Sequence, residues 1–411
     1  MILNLNSTPN SIFKVNASEL ADHSNIRAEI VQAGRMLSYE HARKGQSAMY
    51  AALERKDATA TPIMDGKQYK ELNERFRNDH LLYAASKVCE FSGASAPKTF
   101  DEFKKQSMNF YGNAHFYAVL QGIYQEIVTP ILPRTYSEAV SVFADVVEVG
   151  FGETASITVE SGDIPVFQDS AWGANRSVPA NRFYAKDYTL NPQPKTCEIR
   201  AKWMQIVGNN TDWGAFFANI TAGLYAKTMG MWSAMMSSAA SDTTKIPAGL
   251  TYNFSSQNWV TLANKLAAVN NTSIENLIAY GSAVPLSKVL PTQATGSANV
   301  NMDAALAALL GRDYIQSGYL GKFMNVRLMP LTDAIVPGTQ FSTVSTVLDN
   351  SKIWMMASNG RKPVTIAYNS DVPISIEVSP ERTASMELIF NLTTAIDSAA
   401  VFASHVGLVN I

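Results

Sequence analysis

The sequence predicts an α+β fold built from several segments, and three observations carry that expectation. A helical pattern fills roughly the first 130 residues; at Ala139 the apolar period falls from three or four residues to two; one long, nearly uncharged helix then precedes an α/β stretch and a run of strands.

The N-terminal part reads as helices separated by breakers. Ile26 to Lys56 mixes charges with good helix formers, and Lys67 to Phe91 places Tyr69, Leu72, Phe76 and Tyr83 at helical intervals. Thr59 to Gly66, with Pro62 and Gly66, separates the two. After a break at Ser92 to Lys98, Phe100 to Tyr111 and Ala114 to Val128 read as shorter helices, which Pro130 and Pro133 are expected to end.

From Ala139, Val140 and Val142, then Val147 and Val149, alternate with smaller or polar residues, and Ile157 and Val159 continue after a glycine break. A return arm is expected over Cys197 to Trp203, with Cys197, Ile199, Ala201 and Trp203 on one side and Glu198, Arg200 and Lys202 on the other. Between the arms, Glu160 to Pro194 reads as one long loop. A loop of that length inside a domain is functional or folds on a partner. Its aromatic residues and arginines are of the kinds that anchor interfaces. Trp172, Arg176, Arg182 and Tyr184, with Lys186 beside them, are therefore the candidate interface residues.

The long helix is expected over Thr211 to Ala240. It holds no proline, Thr211 or Asp212 can cap it, and Lys227 is the one charge inside. Trp213, Phe217, Ile220, Leu224, Met231, Trp232 and Met236 spread around the axis, so several faces must be buried. A membrane span is the rival reading, but Asn219, Thr221, Lys227 and Thr228 sit at its centre and no basic flank or aromatic belt brackets it. Burial between domains or subunits accounts better for the pattern.

Beyond it, Gln257 to Val269 and Met302 to Leu310 read as helices, and Asn276 to Tyr280 and Phe323 to Pro330 as strands. Lys352 to Ala357 and Lys362 to Tyr368 flank Asn359-Gly360, the signature of a hairpin. Ile374, Ile376 and Val378 alternate, Ser379 to Arg382 turns the chain, and Met386, Leu388 and Phe390 alternate again.

Composition narrows the function classes. Only 17% of the 411 residues are charged and 46% are hydrophobic, against about 25% charged for an average soluble domain. Large covered interfaces would reconcile so few charges with solubility. The formal net charge of −2 gives no basic excess for tight electrostatic nucleic-acid binding, though it is compatible with merely enclosing nucleic acid. Cys89 and Cys197 are isolated, and His23, His41, His80, His115 and His405 form no ligand motif, so neither a metal nor a catalytic constellation is indicated and no cofactor is expected. Gly150, Gly152 and Ala155 have the spacing of a dinucleotide fingerprint, but Ile157-Thr158-Val159 follows where that chemistry needs a helix N-terminus. The N-terminus shows no basic region followed by a long apolar core, so no secretory signal is expected.

The order of a helical arm, a two-armed loop, a long helix, an α/β domain and a β run resembles the major capsid protein of tailed double-stranded DNA phages, the Hong Kong 97-type fold. The local likeness lies in EIVTPILPRTYSEA before the loop, Gly318-Tyr319-Leu320-Gly321 before the strand ending at Pro330, and PISIEVSPERTASMELIF. The resemblance implies a helical N-arm over 1–138 and an extended loop with its flanking strands over 139–206. It further implies a peripheral-domain spine helix over 207–254, an axial domain over 255–349, and the peripheral sheet and C-terminus over 350–411. It implies a non-enzymatic shell subunit forming hexamers and pentamers around double-stranded DNA, with portal, scaffolding or decoration proteins as partners and no membrane. The location implied is the virion, after assembly in the host cytoplasm. An encapsulin-like shell around cargo enzymes is the alternative. Some members of the family join a loop lysine to a neighbour's asparagine; Lys186 and Asn369 are the corresponding pair to test here.

Overall fold

The computed structural model describes residues 23–42, 64–160, 185–208, 211–290, 318–338, 343–358, 360–371, 374–381 and 386–411. The expected helix over Met302 to Leu310, and Asn359, lie outside the described residues. The chain divides into two compact units, each assembled from three stretches: 1–139, 192–225 and 368–396 in one, and 140–191, 226–367 and 397–411 in the other.

The first unit is built on helices α1 (His23–His41), α2 (Gly66–Ser92), α3 (Phe100–Tyr111) and α4 (Ala114–Val140). Asp65 caps α2 through a capping box with Gln68, Gly93 closes it in the left-handed region at φ 69°, and Thr99 caps α3. Helix α4 differs from expectation, since its backbone stays helical past Pro130 and Pro133. Proline removes one amide donor and crowds the preceding turn, at about 3 kcal/mol, but its φ remains helical. Upstream, Phe116, Leu120, Ile123, Tyr124 and Ile127 are buried and fix the helix axis.

These helices pack on a sheet in which β12 (Glu387–Ala400) is flanked by β11 (Ser375–Pro380) and β4 (Gln193–Lys202), both antiparallel. Ile376, Val378, Leu388, Phe390 and Leu392 bury the inner face. Gln125 of α4 covers the outer edge of β11: its Oε1 accepts from Ile376 N at 2.9 Å and its Nε2 donates to Ile374 O. A helix side chain thereby takes the place of a neighbouring strand. The other edge, β4, carries charge instead, with Arg200 Nε 2.6 Å from Glu198 and its Nη1 3.2 Å from Glu381. Ile199 and Ala201 pack inward as expected, whereas Cys197 is exposed. Trp203 is not the last strand residue but the first of a short helix, α5 (Trp203–Gly208), although its N–H still donates to Met386 O across the sheet.

The long helix, α6 (Trp213–Ala240), begins two residues after its expected start, with Asp212 Oδ1 accepting from Ala215 N at 3.1 Å. Gly214 permits the close approach of α1: a Cβ there would lie 2.6 Å from Leu37 O. In the first unit Trp213 and Phe217 join Phe76, Tyr124 and Phe390 in one aromatic core. His80 is buried inside it, with Nδ1 2.6 Å from Phe76 O and Nε2 3.1 Å from Tyr124 Oη. Burial lowers its pKa to about 3, so the ring is neutral, donating from Nδ1 and accepting at Nε2. Along α6 only Asn219, Gly223, Lys227, Ala234 and Ser238 are exposed, one narrow stripe. The faces expected to need cover are covered by this chain itself. Among the described residues no helix is long and apolar enough to cross a membrane.

The second unit contains a mixed sheet in the order β5 (Thr251–Asn253), β13 (Gly407–Asn410), β9 (Lys352–Ala357), β6 (Leu277–Gly281), β8 (Val326–Pro330), β7 (Lys322–Phe323). Helix α7 (Ser256–Val269), capped by Ser255, buries Trp259, Leu262 and Leu266 on it. Two expectations change here. The strand read over Phe323 to Pro330 is a hairpin, with Met324 and Asn325 both at positive φ (46° and 67°) in its two-residue turn. The hairpin expected around Asn359-Gly360 does not form: β9 lies between β13 and β6, so both its edges are taken, and β10 (Val364–Asn369) pairs with β1 (Asp145–Val149) in the other sheet. Buried edges on both sides outweigh a local turn signal.

Candidate assembly surface

After β1, a tight turn over 150–153 closes with Glu153 N donating to Gly150 O at 3.1 Å. Gly152 sits at φ 78°, which a side chain would strain. Strand β2 (Ala155–Glu160) follows, so the glycine spacing ends in a β turn rather than at a helix N-terminus, and no phosphate cradle is formed.

Strand β2 pairs antiparallel with β3 (Ala185–Leu190). The return strand of the arm is thus β3, inside the stretch read as loop, and Gln193–Lys202 belongs to the first unit's sheet instead. Directly opposed residues share a face. Ala155 and Leu190, Ile157 and Tyr188, and Val159 and Lys186 form one face; Ser156 and Thr189, and Thr158 and Asp187, form the other. On the polar face Thr158 Oγ1 donates to Asp187 Oδ1 at 2.6 Å. On the apolar face Ile157 and Leu190 are buried with Val149, Ala367 and Val401, while further out the cover stops. Among the described residues β2 and β3 pair with no other strand.

Where the cover stops, the apolar face becomes the wall of a cleft of about 730 Å³. Val159, Lys186 and Tyr188 supply the wall, Met235 and Ser238 of α6 and the 244–247 segment a second side, and residues 399–405 the floor. Lys186 lies with its Nζ 5.0 Å from the centroid of Tyr188, a contact that leaves the ammonium hydrated on its outer side. Lys245 Nζ is 3.7 Å from Asp242 Oδ2. His405 is held by its backbone, N donating to Asn270 Oδ1 at 2.8 Å and O accepting from Asn270 Nδ2 at 2.9 Å. Among the described residues no aspartate or glutamate lines the cleft. The site is suited to receive an anionic group set beside an apolar one; it presents no nucleophile paired with a base.

Of the residues singled out from the sequence, Trp172, Arg176, Arg182 and Tyr184 lie outside the described residues, and Lys186 stands on the cleft wall. Asn369, the suggested cross-linking partner, is 5% exposed and its Oδ1 accepts from Asp371 N, so it is closed to a lysine from another copy. Sequence reasoning missed Tyr188, Val159 and the 399–405 floor, because the cleft is assembled from segments more than 200 residues apart. Among the described residues no three His, Cys, Asp or Glu side chains converge on a metal position.

No protein-family model matches the sequence, and no curated protein matches it. Solved structures do. The capsid of cyanophage P-SCSP1u is 9% identical at a TM-score of 0.41, over 65% of this chain and 86% of that one. The mature capsid of bacteriophage PhiM1 is 12% identical at 0.41, over 65% and 85%. The capsid of a native GTA particle is 14% identical at 0.40, over 67% and 90%. The solved structures this chain resembles are thus tailed-phage capsids, at an overlap too loose to transfer the role of any residue.

Proposed function

We propose that this protein is a structural, non-enzymatic shell subunit whose β2–β3 ribbon engages a neighbouring copy. The observation that carries the proposal is the ribbon itself: two strands paired only with each other among the described residues, apolar on one face, and left uncovered where that face opens into the cleft. A two-stranded ribbon is marginal in water and gains its stability from a surface laid against it. The low charge content points the same way, because buried interfaces need fewer charges than free surface does.

In this reading 1–138 is the N-arm, 139–206 the overlapping loop, 207–254 the spine segment, 255–349 the axial domain and 350–411 the peripheral sheet and C-terminus. Copies form hexamers and pentamers of an icosahedral head, built in the host cytoplasm, that encloses double-stranded DNA without reading its sequence; portal, scaffolding or decoration proteins are the further partners. No observation here favours a cargo-enclosing compartment over it.

The test is electron microscopy, with light scattering, of the protein expressed alone. Closed shells or capsomer rings are expected. A monodisperse monomer or dimer at every concentration and salt condition tried sinks the proposal.

A further inference from the structure

We propose that the cleft of the second unit binds a small amphipathic anion, one carboxylate or phosphate head group carried on an aliphatic chain. The inference goes beyond the shell reading and does not need it, since the residues lining the cleft all belong to one unit of one chain.

The size is that of a small-molecule site: about 730 Å³, inside the roughly 300–1,000 Å³ that such sites span. Two kinds of group line it. Val159, Met235, Pro247 and the half-buried Phe402 make an apolar lining that is mostly aliphatic, and the unbranched thioether adapts to the shape of a flexible chain. Lys186 and Lys245 add positive charge to the same cleft.

The carboxylates near these lysines are occupied elsewhere. Lys186 Nζ lies 5.0 Å from the centre of the Tyr188 ring, itself part of the wall, while Asp187 stands on the opposite face of the ribbon and accepts from Thr158 at 2.6 Å. Lys245 Nζ is 3.7 Å from Asp242 Oδ2, but the Oδ1 of that carboxylate already accepts from Thr244 N at 3.0 Å and from Thr244 Oγ1 at 2.6 Å. Asp397, two residues before the floor, accepts from the amides of Asn191 and Ser398, each at 2.8 Å. An anionic head group therefore gains charge-assisted hydrogen bonds from the lysines, while its chain covers apolar lining that water otherwise wets. Two lysines offer no track for the repeated phosphates of a nucleic acid, so the fit is to one head group.

Calorimetric titration of the full chain tests this, with dodecanoate and dodecyl phosphate below their micelle concentrations as probes. Dodecyltrimethylammonium keeps the chain and reverses the charge; acetate and inorganic phosphate keep the charge without the chain. Saturable binding of at least one anionic probe, one molecule per chain, is expected about tenfold or more tighter than any of the three controls. Lys186→Gln and Lys245→Gln are each expected to weaken it about three- to tenfold, with circular dichroism matching the parent. Lys265→Gln, a lysine outside the lining whose Nζ donates to Tyr252 Oη, should leave it within about twofold. No saturable binding of either probe, a control that binds as tightly, or full affinity in both cleft variants overturns the site. The shell reading is decided separately, by microscopy, and stands or falls whichever result is found.

Discussion

The aromatic core of the first unit and the ribbon of the second treat their apolar surface in opposite ways. Around Trp213 every ring has a neighbour from the same chain, His80 finds both its partners, and Gln125 closes the edge of the sheet. Around Lys186 the packing ends abruptly, with Ile157 buried and Tyr188 and Val159 only partly so. The first region is finished and fixes the fold; the second is left open among the described residues.

The largest expected effect breaks the finished region. Trp213→Ala removes a side chain that is 1% exposed and is expected to cost about 3–5 kcal/mol in denaturant unfolding. Gln125→Leu keeps the volume but leaves Ile376 N–H and Ile374 C=O without their partner, at about 1–3 kcal/mol for each buried group. An urea midpoint unchanged by that substitution would show that the edge of β11 is not held as described.

A pH series sharpens the comparison further, because two adjacent residues of α2 titrate with opposite sign. Burial raises the Asp79 carboxyl to about 6, with Arg75 opposing and Glu29 reinforcing. Its folded pKa exceeds the unfolded value of about 3.9, so its contribution is fully present below pH 4 and is lost as pH rises through 6. His80 falls to about 3 from an unfolded value of about 6.5, so its contribution is present above 6.5 and is lost as pH drops below it. Between about pH 4 and 6 the two slopes, each near 1.4 kcal/mol per pH unit at most, oppose each other. Asp79→Asn should therefore unmask destabilisation by acid, and His80→Leu stabilisation by acid. Parallel curves for the two variants would mean that neither group is buried as described.

The smallest stability effect belongs to the unfinished region. Lys186→Ala is expected to move the unfolding free energy by less than about 0.5 kcal/mol, as exposed surface changes do. A loss comparable to Trp213→Ala would place Lys186 in the core of the monomer and remove the contrast.

What the sequence made legible follows the same division. Helix α6 was readable to within two residues because its apolar residues surround the axis and Asp212 caps it, and both are local facts. The antiparallel pair β11 and β12 was readable from alternation in both strands, although Ser379 and Pro380, read as part of the turn, are paired residues of β11. Strand β3 was not: Ala185 to Leu190 alternates polar residues with one buried leucine, and its outer rungs are exposed among the described residues. Local turn chemistry also misled at Asn359-Gly360, where the flanking strands have better partners far away in the chain. The cleft had no signal at all, its parts being brought together only by the sheet and the end of α6. Lys186 was singled out as the loop lysine that the family resemblance suggested for a cross-link, not from the geometry that places it beside Tyr188.

Strand β13 lies between β5 and β9, and the cleft floor at 399–405 is the stretch just before it. During synthesis, β5 must wait 154 residues, from Asn253 to Gly407, for its parallel neighbour. At about 5–20 residues per second that is a delay of roughly 8–30 s. The ribbon, whose strands are neighbours in sequence, can pair early in that interval. A chain still on the ribosome before residue 399 thus carries the ribbon but not the cleft floor. The cleft is therefore complete only in molecules whose translation has passed its last lining residue, His405.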